Sequence, residues 1–294
     1  MSLSIFTNAS SMASTNAMNK SNNLLSTAME RLGTGKRINS AADDAAGLQI
    51  ATRLQGQTNG MTVAQRNISD ATALLQTSEG AFDEVSNIMY RMKDLATQAA
   101  NDTNTQKDRD AINSELNDLN AELGNIMNNT SYAGDKLFGA SGKFANALSF
   151  QIGSSTDETM KVDLSNELKG SGTSALTNAS GQFTKIQALA STASGLYLSS
   201  ADDAKKLMTA LENSLDDVGA VRSKMGASIN RLGHTASNLA NMKDNTELAL
   251  SNIQDADYAT EASSMTRNQL LAQTSMSMLK TSNSMSSMVM SLLG

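Results

Sequence analysis

The chain has 294 residues, a net charge of −6 and 3% aromatic residues, and it lacks cysteine, proline and tryptophan. Without cysteine there is neither a disulfide framework nor a thiolate metal site, and the acidic balance argues against nucleic acid, whose phosphates need a clustered basic surface. Globular enzymes of this size seldom do without proline, so the composition points instead to long helices packed side by side.

The first twenty residues, MSLSIFTNASSMASTNAMNK, have no basic start and no continuous apolar run, so no signal peptide is expected there. No stretch of eighteen apolar residues occurs, and no membrane insertion is expected. Met18, Leu25 and Leu32 then repeat at seven, with Ala28 and Met29 beside them, predicting a narrow-striped helix rich in Ser, Asn and Thr. Its propensity is poor, so packing must order it. Gly33 to Gly47 reads as an irregular connector in which Ser40 can cap a short turn. Residues 61–99 carry the dominant pattern. One row is Met61, Ile68, Leu75, Phe82, Met89, Ala96, and a second is Ala64, Ala71, Ser78, Val85, Met92, Ala99, with only Ser78 breaking the stripe. At 1.5 Å per residue this helix spans roughly 58 Å and needs an equally long partner.

Asn101 to Asn104 reads as a loop with N-cap chemistry, and Ile112, Leu116, Leu119, Leu123 and Ile126 predict a shorter helix folding back on the first. Glycines end it between residues 128 and 142. The period then changes to two: Leu148, Phe150 and Ile152, a polar turn, then Met160, Val162 and Leu164 predict a β-hairpin. Residues 167–195 are weakly patterned. Ser200 or Asp202 can cap a second long helix, whose stripe runs from Met208, Leu211, Leu215 and Val218 to Leu250 and Ile253. Residues 255–258 break it, and a last helix carries Leu271, Met278, Met285 and Leu292 at strict sevens. The expected fold is mainly α: a long antiparallel helical bundle or coiled coil with a small β-hairpin region at its tip and its N- and C-terminal helices paired.

Catalytic and metal sites find little support. His234 is the only histidine and reads as an exposed helix residue. The stretch Gly33-Thr-Gly-Lys36 lacks a phosphate loop's framing residues, having Glu30 and Arg37 where glycine and Ser/Thr belong. Asp255 and Asp257 start like a calcium loop, but Ala259 and Thr260 do not continue it. Asp43/Asp44, Asp202/Asp203 and Asp216/Asp217 read as solvated helix charges. The chain is expected not to be an enzyme and to need no cofactor.

Nearly the whole chain resembles bacterial flagellin. The stretch ERLGTGKRINSAADDAAGL at 30–48 is similar to that family's connector, QRNISD at 65–70 to the start of its first long helix, and IQDADYATEASSMTRNQLL at 253–271 to its C-terminal motif. The large variable outer domains are missing, and residues 276–290 are richer in Met and Ser than usual. The resemblance implies a subunit that leaves the cell by the flagellar type III route and polymerises into an extracellular filament for swimming or swarming, with an export chaperone and a filament cap as partners. It implies N-terminal inner-tube and connector residues at 1–47, outer-tube helices at 48–130, a tip at 131–200, an outer-tube helix at 201–254, and a connector with inner-tube helix at 255–294. Self-assembly is expected through Met18, Leu25, Leu32, Leu271, Met278, Met285 and Leu292, with both ends largely disordered until subunits associate.

The resemblance also implies recognition by Toll-like receptor 5 of animal hosts. The family's motif falls at YRMKDLATQ, residues 90–98, where Arg91 and Leu95 match key positions and Glu115 matches a third. Two other readings are a hook-filament junction protein and a cytoplasmic coiled-coil signalling scaffold. The scaffold should have helices of good propensity throughout and no hairpin.

Overall fold

The computed structural model describes residues 8–139, 141–169 and 198–293. The chain divides into two compact units, Met1–Thr58 with Asp244–Gly294, and Asn59–Lys243.

The first unit is built on α1 (Ala9–Thr34) and α6 (Tyr258–Leu293). Asn8 starts α1, its Oδ1 accepting from the backbone N–H of Ser10 and Ser11, and Gly35 stops it at φ 72° with its N–H donating to the Arg31 carbonyl. Within a single chain the described terminal segments form two continuous helices. The intervening connector is shorter than Gly33 to Gly47. Its backbone docks on the break before α6: Arg37 N–H donates to the Gln254 carbonyl at 2.6 Å, Ala256 N–H donates to Gly35 at 3.0 Å, and Lys36 bridges Asp255. Asp43, rather than Ser40, organises the turn by accepting from the N–H groups of Asn39 and Ser40.

Helix α2 (Ala45–Ala99) is 55 residues long and starts sixteen residues before the expected Met61. Asp44 accepts from the Gly47 N–H at 2.8 Å, satisfying a donor of the first turn. The heptad spacing also continues backward from Met61 through Thr58, Leu54, Ala51 and Gly47. Apart from Leu54, those residues are too small or too polar to register as a stripe of large apolar side chains. A Cβ at Gly47 would meet the side chains of Asp44 at 2.5 Å and Ile38 at 2.8 Å, so both would have to move to admit a larger residue.

In the second unit α2 runs against α3 (Gln106–Asn129) and α5 (Ala201–Gln254). Ion pairs fix the directions: Arg91–Glu115 joins α2 to α3, and Lys93–Glu212 and Asp83–Arg222 join α2 to α5, antiparallel in each case. The two predicted rows of α2 are buried along their length and share one core with Leu116 and Leu123 of α3 and Leu207, Leu211, Val218 and Leu232 of α5. Ser78 is fully buried too, and its hydroxyl donates to the Leu74 carbonyl at 2.8 Å, so the one polar break leaves no unmet donor. Helix α3 begins at a capping box of Thr105 and Asp108, just after the loop expected to supply the cap. At the start of α5, Ser200 accepts from the Asp203 N–H.

The predicted hairpin is present, β3 (Leu148–Gln151) pairing antiparallel with β4 (Thr159–Val162). Its Met160, Val162 and Leu164 face the core. A smaller hairpin, β1 (Ser131–Tyr132) with β2 (Asp135–Lys136), precedes it and was not expected. It turns on Ala133 (φ 53°) and Gly134 (φ 89°), both left-handed as the tight two-residue turn requires. Beyond it Phe138 meets Phe82 edge-on at 5.0 Å and stacks on Phe144 at 5.9 Å. A short helix, α4 (Ser165–Lys169), follows β4, and most of the weakly patterned stretch at 167–195 lies outside the described residues.

Candidate interaction surfaces

Along α1 the inward row is Ser11, Ser14, Met18, Ser21, Leu25, Ala28 and Leu32, and along α6 it is Glu261, Met265, Asn268, Ala272, Ser275, Leu279 and Ser282. Both keep the 4-3 spacing of a coiled coil. Polar contacts secure the two ends of the pair. Asn8 donates through Nδ2 to the Ser282 hydroxyl at 2.9 Å, Tyr258 donates its hydroxyl to the Leu32 carbonyl at 2.7 Å, and Arg31 pairs with Glu261 at 3.0 Å. The seam itself is thin. In α1 only Ser21 and Ala28 are buried, and Met18, Leu25 and Leu32 are half-buried.

The strict-seven row of α6 does not enter this seam. Leu271, Met278 and Met285 are 47%, 61% and 63% exposed, and the Leu292 side chain lies outside the described residues. Smaller, more polar side chains occupy the seam because two helices approach closely over Ser and Ala, and hydropathy counting passes over such positions. The apolar row is left on the flank, beside exposed Met276. On α1, Met12, Leu24 and Met29 are exposed as well. The expected assembly residues thus divide into an α1 group that helps hold the pair together and an α6 group facing outward.

On the second unit Arg91 reaches Glu115 through Nη2 at 2.7 Å and Nε at 3.1 Å, both groups on one oxygen and both side chains about half exposed. Leu95, one turn along α2, is 3% exposed and belongs to the core. The structure brings Arg91 and Glu115 together on the surface, and Leu95 is buried with the core instead of lying on that surface. Tyr90 is exposed beside the pair. His234 lies on α5, where it lines an open groove of about 360 Å³ with Glu158 and Thr159 of the hairpin.

The carboxylates mark helix starts and turns. Hydrogen bonds from Ser199, Lys206 and Ser200 lower Asp203 to about 2. Backbone donation by Ser40 and Asn39 lowers Asp43, and Thr260 with the backbone of Ala259 lowers Asp257. Among the described residues no group of three or more His, Asp or Glu could hold a metal ion, and no helix is long and apolar enough to cross a membrane.

Comparison with known proteins agrees along the chain. Residues 5–143 match the bacterial flagellin N-terminal helical region, and residues 208–293 match the bacterial flagellin C-terminal helical region. Polar flagellin F of Vibrio parahaemolyticus is 32% identical over the full length of both chains, and flagellin A of Vibrio cholerae serotype O1 is equally similar. A solved structure described as a flagellar hook-associated protein from Vibrio parahaemolyticus shares the fold, with TM-score 0.59 at 17% identity over 72% of this chain and all of that one. The chain belongs to the bacterial flagellin family, the structural subunits of the flagellar filament.

Proposed function

We propose that this flagellin builds its filament by laying the outward row of α6, Leu271, Met278 and Met285, against neighbouring copies, with Leu292 continuing the same seven-residue spacing in the sequence, while Met18, Leu25 and Leu32 hold α1 to α6 within each subunit. The exposed row carries the reading. A side chain of this size gains roughly 1.5–3 kcal/mol on full burial, and a single chain leaves that gain unrealised. Residues 1–47 and 255–294 form the inner tube in this reading, 48–130 and 201–254 the outer tube, and 131–200 the tip.

The thin seam has a kinetic consequence. Fixing each backbone residue costs about 1–2 kcal/mol, and a seam of Ser, Asn and Ala with only half-buried Met and Leu between them returns little of it, so α1 and α6 reach full order only when several subunits supply contacts together. Growth therefore needs a nucleus or a cap. Loosely held ends also suit passage through a narrow export channel before the subunit joins the extracellular filament, with a chaperone shielding the apolar row. The role is structural and not enzymatic. Removing residues 276–294 should leave the second unit folded by circular dichroism and abolish filaments by sedimentation and electron microscopy. Polymerisation of that truncated protein would overturn the reading.

A second surface is proposed for Toll-like receptor 5. The exposed Arg91–Glu115 pair favours it: the guanidinium offers further donors to a partner, while Leu95 is buried with the core.

A further inference from the structure

We propose that the exposed methionines of α1 and α6 are oxidation sites, accepting an oxygen atom from peroxide-class oxidants, and that their sulfoxides stop an unassembled subunit from joining the filament. The proposal rests on the reading of this surface as the assembly face.

The distribution of the thioethers carries it. The chain has 18 methionines and no cysteine, so no thiol competes for a two-electron oxidant. Met61, Met89, Met92 and Met225 are at most 3% exposed inside the second unit. Met12, Met29, Met276, Met278, Met285 and Met288 lie on the terminal helix pair, between 50% and 63% exposed. An oxidant that leaves the fold intact therefore reaches the assembly helices and spares the core.

In the reaction a sulfur lone pair attacks one peroxide oxygen and forms the S–O bond as the O–O bond breaks. Sulfur loses two electrons, hydrogen peroxide is reduced to water, and solvent relays the proton. The product keeps the length of methionine but carries a polar, chiral S=O group whose hydrogen bonds to water must be given up on burial. A row that favours association as thioethers disfavours it as sulfoxides. Reduction by methionine sulfoxide reductases with a dithiol restores the row, so the block is reversible. Subunits already in a filament have these side chains covered and react slowly.

The test uses the full chain, graded hydrogen peroxide, peptide mass spectrometry and seeded polymerisation followed by light scattering. Oxidised parent protein should elongate at least tenfold more slowly with an unchanged circular-dichroism melt, and should recover on treatment with the reductases. Replacing Met12, Met29, Met276, Met278, Met285 and Met288 by Leu should make elongation insensitive to within twofold. Met242→Leu removes an exposed methionine of α5, 47% accessible, and should leave the sensitivity intact. In pre-formed filaments the six sites should oxidise at least tenfold more slowly than in monomer. Normal elongation of fully sulfoxidised parent, no recovery after reduction, or equal oxidation rates in filament and monomer would each overturn the proposal. Untreated Met278→Glu separates the two ideas: if it polymerises normally the assembly-face reading fails, and if it does not while the sulfoxidised parent does, only the oxidation proposal fails.

Discussion

Phe82→Ala tests the core of the second unit most sharply. The Phe82 ring is fully buried, sits on the a/d row of α2, and meets Phe138 edge-on at 5.0 Å, which itself stacks on Phe144. Truncation removes the ring's transfer free energy and leaves a cavity that two further rings cannot readily fill, at a cost of about 3–5 kcal/mol. Some 0.5–1.5 kcal/mol of that belongs to the aromatic contact. In a folding unit of this size 1 kcal/mol moves the melting temperature by about 2–4 °C, so the thermal midpoint should fall by roughly 6–20 °C. Urea unfolding followed by circular dichroism gives the free energy directly. Phe138→Ala should show a coupling of about 0.5–1.5 kcal/mol with it in a double-mutant cycle, since the two rings share one contact. A loss below about 1 kcal/mol, or additive effects, would refute the packing described for this end of the bundle. Leu215, also on the predicted stripe of α5, is only half-buried and should tolerate truncation better.

Three other outcomes follow from particular contacts. Asn113 is buried on α3, accepts from the Leu198 N–H at 2.9 Å and donates to the Leu198 carbonyl at 3.3 Å; Asn113→Ala should cost about 1–3 kcal/mol in urea and speed hydrogen exchange at Leu198. Asp203, Asp43 and Asp257 have native pKa values below the usual 3.8, so each binds protons less readily folded than unfolded. Their stabilisation is fully present above the unfolded value and is lost as pH falls through the native ones, to about 2 for Asp203. Circular dichroism should show unfolding that begins below pH 4, and Asp203→Asn should flatten part of that acid dependence. In a receptor reporter assay the Arg91→Ala monomer should signal more weakly than the parent, and equal signalling would remove Arg91 as the charged anchor.

The long helices, their antiparallel arrangement and the second hairpin were legible in the sequence because large apolar side chains recur there at the helix or strand period. What escaped has local physical causes. The first sixteen residues of α2 carry their seam on Gly47, Ala51 and Thr58 with a single large apolar residue, Leu54, which is too little to announce a stripe. The α1–α6 seam hides for the same reason, and the conspicuous Leu271, Met278 and Met285 row, expected to serve self-assembly, lies outside it. The small hairpin rests on the left-handed Ala133, whose side chain gives no hint of that conformation. The Asn113–Leu198 link joins residues 85 apart, and no local pattern announces it. Arg91 and Glu115 were singled out by their motif, whereas the burial of Leu95 follows from its position three residues after the buried Met92 on α2.

The central claim is that α6 turns its Leu271, Met278 and Met285 row toward other copies. Electron cryo-microscopy of filaments polymerised from this chain would locate those side chains directly. The account predicts all three buried against α1 or α6 of neighbouring subunits, with the Asn8–Ser282 and Arg31–Glu261 contacts kept within each subunit. A filament in which the row faces solvent, or in which α1 pairs with α6 of a different copy, would contradict it.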